Sequence, residues 1–246
     1  MPGGTPYFPV SYCGEGGGRT FAVGLENDVL LADALAGAGA GAPGERLGAL
    51  LRDVAGHVQG ACRAAAGRVP GWTYAGLDPS IAPGIDSPSM VDAMEGLGLG
   101  RFGQSGSLAA AALVTAAVKS LPAGVATCGY AGLMFPVLED AGLARAAAEG
   151  RVSVQKLLMW SAVCGTGLDT VPVPGRDPGG GGAAAEFNGR LHRSLTSVLL
   201  DVWSLSARLG KPLGCRLLPV SGGRPGRPVD FHSPFMVPGA VMDPGE

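Results

Sequence analysis

The chain has 246 residues, 46% of them hydrophobic, with 43 glycines, 20 prolines, 15% charged side chains and a formal net charge of −2. That much apolar material excludes global disorder, and the lack of any Lys/Arg cluster interleaved with aromatics excludes the electrostatic footprint of a nucleic-acid binder. The longest aliphatic run, residues 108–118, is well short of the ~20 residues of a membrane span, and the N-terminus lacks the basic and apolar regions of a secretory signal. Five widely spaced cysteines, Cys13, Cys62, Cys128, Cys164 and Cys215, form no C-x-x-C pair, so neither a disulfide framework nor a zinc knuckle is expected. A soluble, cytoplasmic chain with reduced thiols is the resulting expectation.

In chain order, "TFAVGL" (20–25) reads as a short buried strand followed by helical sequence through "ENDVLLADALAG". From 45 to 65, Leu47, Leu50, Leu51, Val54, Val58, Ala61 and Cys62 recur at helical spacing, which makes Cys62 a core residue. "WTYAGLD" (72–78) reads as a strand, residues 79–89 as a proline-fixed loop, and 107–120 as a helix. "CGYAGLMFPV" (128–137) reads as a strand or buried turn, "LEDAGLARAAAEG" as helical, and Ser153 as the N-cap of a helix to Val163. Residues 176–186, "RDPGGGGAAAE", are by composition a flexible glycine-rich insertion. Phe187, Leu191, Leu195, Val198, Val202, Leu205 and Leu209 mark a long amphipathic helix capped by Gly210; "CRLLPV" (215–220) is a strand, and the remainder a loop. Strands alternating with helices predict one α/β domain over 1–246 with no solenoid repeat.

Polar chemistry concentrates in "SAVCGTGLDTVPVPG" (161–175). A helix end with an αL glycine and a proline-stiffened exit explains its glycines and prolines, but not a carboxylate and a hydroxyl beside a thiol. As a site, Asp169 would bind a cation or act as a base and Cys164 as a nucleophile, while Gly165, Thr166, Gly167 and Thr170 would hold an anion. Both readings stand. "FGQSGS" (102–107) runs into a helix N-terminus, where Gly106 and Ser107 either bind an anion or merely cap the helix. Asp78, Asp86, Glu95, Glu139, Asp140 and Asp169 lie at loop mouths, and hard divalent cations want such ligands, although no spacing is diagnostic of a metal. Glu139 and Asp140 are explained most simply by the start of a helix. Gly129–Tyr130 resembles the Gly-Tyr pair of a glycyl-radical loop, but the preceding Arg and Val are absent and no radical is expected.

The ordered stretches "PYFPVSY", "FAVGLEN", "YAGLDPSIAP", "CGYAGLMFPVLEDAGLA", "SAVCGTGLDTVPVPG" and "KPLGCRLLPV" closely resemble the domain of unknown function 711 family. The likeness runs from Pro6 to the end and is densest from Cys128 to Gly175. It implies a partial pyruvate formate-lyase-like α/β barrel with helices outside the strands, matched to the C-terminal portion of a longer family domain. It also implies frequent gene neighbourhood with a small ACT-domain protein, a candidate partner. The family places histidine where this chain has Cys13.

From residues and resemblance together, the expected function is a small-molecule site at the barrel mouth, enzymatic or not, for an anionic metabolite with or without a divalent metal. Asp78, Gly106, Ser107, Cys164, Gly165, Thr166, Gly167, Asp169 and Thr170 would line it. The alternatives are a regulatory or assembly protein acting with the ACT-domain partner, and an inactive truncated paralogue. An incomplete barrel would leave an open sheet edge through which copies could associate.

Overall fold

The computed structural model describes residues 18–36, 42–84 and 86–245. Cys13 and the "PYFPVSY" stretch lie outside them. The elements are β1 (Arg19–Gly24), α1 (Asp28–Leu35), α2 (Pro43–Arg68), β2 (Trp72–Asp78), α3 (Met90–Glu95), α4 (Ser107–Lys119), α5 (Ala141–Ala148), α6 (Val154–Trp160), β3 (Gly167–Pro174), α7 (Gly182–Leu209), β4 (Gly214–Val220), β5 (Pro228–Val229) and β6 (Gly239–Ala240). The chain is mixed α/β, as its alternating pattern predicts.

β1 pairs in parallel with β2, and β3 in parallel with β4. Between these two-stranded sheets runs an extended segment, 127–136, that makes isolated parallel bridges to both: Leu77 with Thr127, Ile81 with Leu133, and Pro136 with Asp169. The array therefore runs β1, β2, the 127–136 segment, β3, β4, all parallel and in sequence order. Among the described residues it does not close into a barrel.

Helices α2, α6 and α7 lie against these strands. The core is centred where Phe135 of the middle segment meets Phe102 and Trp160, with ring centroids 4.7–5.5 Å apart in tilted contact. Two N-caps fix helices around it. Ser153 accepts from the Lys156 amide, as the sequence predicts. Asp140 caps α5 by accepting from the Leu143 amide at 2.8 Å and also accepts from Met90 at the start of α3 at 2.7 Å, so one buried carboxylate satisfies the ends of two helices.

Four readings of the sequence need correction. Gly167–Pro174 is a fully buried parallel strand, not a helix exit. Its prolines are tolerated because the Gly175 amide donates to Val220 of β4, so Pro172 and Pro174, in alternating register, turn their missing donors to the opposite edge. Cys62 is half-buried, because the contacts of α2 thin out beyond Gln59. The long helix begins at Gly182 and takes in the end of the glycine-rich stretch. The tail forms a short antiparallel pair, β5 with β6, rather than loop alone.

Replacing Asp140 by Ala strands the Met90 and Leu143 amides in the core. We expect a loss of about 3 kcal/mol in denaturant unfolding, with Ser153→Ala, at a half-exposed cap, costing about 1 kcal/mol.

Candidate functional site

Asp78, at the end of β2, is buried among backbone donors. Its Oδ1 accepts from the Ser80 amide (3.0 Å), the Ser80 hydroxyl (2.5 Å) and the Ala131 amide (3.0 Å), and its Oδ2 accepts from the Tyr130 amide (2.9 Å). Three of these bonds fall on Oδ1 and one on Oδ2, and those from Tyr130 and Ala131 pin the 129–132 turn onto β2. Gly129 has φ +72, and a Cβ there would run into the Asp78 carboxyl, so only glycine lets the turn approach this closely. Burial, reinforced by Asp78, pushes the adjacent Cys128 thiol up to about 11, which leaves it protonated at neutral pH.

The turn pinned by Asp78 meets the polar stretch after α6. A Cβ on Gly132 would lie 2.9 Å from the Gly165 Cα, and the Gly165 amide donates to Leu133 O at 2.6 Å. That amide is therefore not free to hold an anion. Gly167 has φ +98 and passes close to the Gly214 backbone, as a position reserved for glycine should. Cys164 is 2% exposed, and its carbonyl accepts from Lys211 Nζ at 2.6 Å. Burial pulls the Lys211 amine below its ordinary range, with the neighbouring Cys164 thiol opposing that shift. The Thr166 hydroxyl is buried with no hydrogen-bond partner among the described residues.

The most informative geometry is a bulge. Leu168 registers with Cys215 and Val171 with Leu217, so Asp169 and Thr170 together oppose Arg216 alone. Thr170 takes up the extra residue with φ +43 while fully buried, and its hydroxyl accepts from the Leu138 amide at 3.3 Å. Asp169, next after the Leu168–Cys215 pair, lies beside Arg216, and Thr170 is the residue the bulge inserts. Arg216 Nε donates to Asp169 Oδ1, and its Nη2 donates to Glu139 Oε1 at 2.7 Å. The Asp169 side chain is 10% exposed, that of Glu139 27% and that of Arg216 47%. Burial raises the Glu139 carboxyl above the ordinary range; Arg216 opposes the rise, while Asp169 and Glu26 add to it. The cluster thus offers a half-exposed guanidinium with N–H groups to spare, an orienting carboxylate, and a second carboxyl biased toward its protonated form.

The structure gathers Cys164, Gly165, Thr166, Gly167, Asp169 and Thr170 along one continuous stretch and sets Asp78 behind it as the latch of the facing turn. Gly106 and Ser107 belong to a different turn. Ser107 Oγ accepts from the Gly103 amide at 2.9 Å and donates to Gln104 O at 2.8 Å, and Gly106 (φ +99) supplies the left-handed N-cap of α4. Among the described residues, no three His, Cys, Asp or Glu side chains converge as a metal cage. Sequence reasoning missed Arg216, Glu26 and Lys211. Arg216 left a readable signal, since it is the one charged side chain in the strand "GCRLLPV". No helix among the described residues is long and apolar enough to cross a membrane.

The family model described as Uncharacterised ACR (DUF711) matches residues 1–232. The chain is similar to a UPF0210 protein of Pyrobaculum arsenaticum, 41% identical over 168 residues that cover 66% of this chain and 33% of that relative. A UPF0210 protein of Pyrobaculum aerophilum is 40% identical over 162 residues (63% and 33%), and one from Lacticaseibacillus casei is 33% identical over 162 residues (65% and 32%). The matched part spans about a third of the length of these curated relatives.

Because the folded pKa of Glu139 lies above its unfolded value, ionising it weakens the fold as pH rises through the carboxylate range. Glu139→Gln keeps an acceptor for Arg216 and removes that cost. The variant should melt at or above the wild-type temperature at neutral pH, with the gap closing as pH falls below the unfolded carboxylate pKa of about 4.3. Melting curves across pH provide the check.

Proposed function

The chain belongs to the Uncharacterised ACR (DUF711) family, and from that premise we propose that it contributes a small-molecule site built on Arg216, Asp169 and Glu139. The observation that carries this reading is a half-exposed arginine locked by two carboxylates at a strained bulge. Locking a guanidinium at the surface removes the entropy a ligand would otherwise have to freeze, and its remaining N–H groups suit a carboxylate or phosphate. Strain of this kind concentrates at functional sites.

Charge narrows the ligand class. Arg216 faces Asp169, Glu139 and the electrostatic reach of Glu26, so a bare anion would meet an excess of negative charge. The favoured ligand is an anionic metabolite that also carries a cationic or proton-donating group. Glu139, biased toward protonation, would exchange a proton with it, and Asp169 would hold Arg216 in position. Cys164 is too buried to be reached without movement, and Asp78 acts through the turn it holds. The parallel, sequence-ordered strands are consistent with part of a pyruvate formate-lyase-like barrel, in which such a site would lie on the strand-and-loop face.

A second reading, assembly with an ACT-domain partner or another copy, is favoured by α7. Its Leu199, Leu200 and Trp203 lie within one turn of each other and are 52%, 56% and 69% exposed.

A thermal-shift screen of metabolites, with and without divalent cations, tests the first reading on the purified chain. Arg216→Gln should weaken a hit by about tenfold or more, because a charge-assisted donor is lost. Asp169→Asn should weaken binding more than it lowers the melting temperature. A hit indifferent to both substitutions removes the site. For the second reading, light scattering should show association that Leu200→Ser with Trp203→Ser abolishes; a wild-type chain that stays monomeric alone and with the partner rejects it.

A further inference from the structure

Away from the bulge, a cleft of about 290 Å³ lies between α7, α6 and the C-terminal segment. One face of α7 supplies Arg190, Ser194, Ser197 and Asp201 at successive steps of four, three and four residues, with Arg193 beside them. Gln155 of α6 forms the other wall, and its amide donates to Pro244 O at 3.3 Å, tying the C-terminal segment across the end. Val198, buried, supplies an apolar floor.

Arg190 pairs with Glu186 at 2.6 Å. Arg193, Ser194, Ser197 and Asp201 make no side-chain hydrogen bond or ion pair among the described residues. A cation, two hydroxyls and a carboxylate thus line one hollow, with Arg193, Ser197 and Asp201 exposed and Ser194 half-buried. The volume sits at the small end of the range of ligand pockets, about 300–1,000 Å³.

We infer that this cleft is a second ligand site, for a small organic phosphate ester whose other end carries hydroxyl groups, the chemistry of a sugar or nucleoside monophosphate. The arginine end and the serine hydroxyls supply donors to phosphate oxygens. Arg193 and Asp201 are eight residues apart on one helix, about 12 Å along its axis. A ligand that reaches both must be extended, with an anion at one end and a hydrogen-bond donor at the other. Inorganic phosphate satisfies only the first, and Asp201 repels it. The site does not depend on Arg216, so its fate is independent of the reading above.

Calorimetric titration of the full chain with ribose 5-phosphate, adenosine monophosphate and inorganic phosphate tests this. At least one ester should bind more tightly than inorganic phosphate by about tenfold. Arg193→Gln should weaken the ester by about tenfold or more while leaving the melting curve unchanged. Asp201→Asn should tighten inorganic phosphate yet not tighten the ester, a split in sign that a purely structural role would not produce. Arg216→Gln should leave all of these affinities unchanged. No ester binding up to about 10 mM, equal affinity for ester and phosphate, or ester binding indifferent to Arg193→Gln would each overturn the inference.

Discussion

A buried carboxylate is stable only when its oxygens are met by donors, and in this chain that requirement organises the middle of the fold. Asp78 ends β2 and draws in the amides of Ser80, Tyr130 and Ala131. The turn it captures begins the extended segment that bridges β2 to β3. If the turn lifted, Gly132 would leave Gly165, the bond from the Gly165 amide to Leu133 would break, and the Pro136–Asp169 bridge would lose its register. Gly129 matters for the same reason, since a side chain there would hold the two parts apart.

The register thus established has a chemical consequence two strands away. A bulge in β3 costs a ladder bond and forces Thr170 into a conformation that β-branched residues avoid. Asp169 lies beside Arg216 in the register just before the bulge, and Glu139 reaches the same guanidinium from beyond the middle segment. Three charges from three segments meet where no pair of them is adjacent in sequence. Glu139 was read from sequence as a helix-start carboxylate; Asp140 alone performs that role, and Glu139 is left to Arg216.

The long helix α7 presents three different faces. Val198 and Val202 pack inward, Arg190 through Asp201 line the cleft, and Leu199, Leu200 and Trp203 meet solvent. Its sequence stripe predicts the inward face. It says nothing of how far the neighbouring strands extend beneath it, and β4, half-buried along its length, covers only part of the helix. The family resemblance, by contrast, was carried by short ordered stretches and is borne out by the match over residues 1–232.

Local physics made much of this chain readable in advance. Strands at 20–25, 72–78 and 215–220 fall within one residue of β1, β2 and β4; Ser153 caps α6; and Gly210 ends α7 in a left-handed conformation. Each depends on periodicity or on a cap that acts within four residues. β3 was not legible, because a strand buried on both faces lacks alternation and its prolines argue against a ladder until it is known which edge they face. The roles of Asp78 and Ser107 as structural anchors, and the meeting of Asp169 with Arg216, were equally hidden. A carboxylate's role depends on which donors reach it, and decisive ones come from residues 47 to 77 positions away in sequence, while Ser107 depends on a turn whose closure the composition does not specify. The sequence by itself determined most of the elements and the family, since both are local patterns; only the tertiary structure decided β3 and which polar groups were spent on the fold, since hydrogen-bond satisfaction depends on neighbours in space.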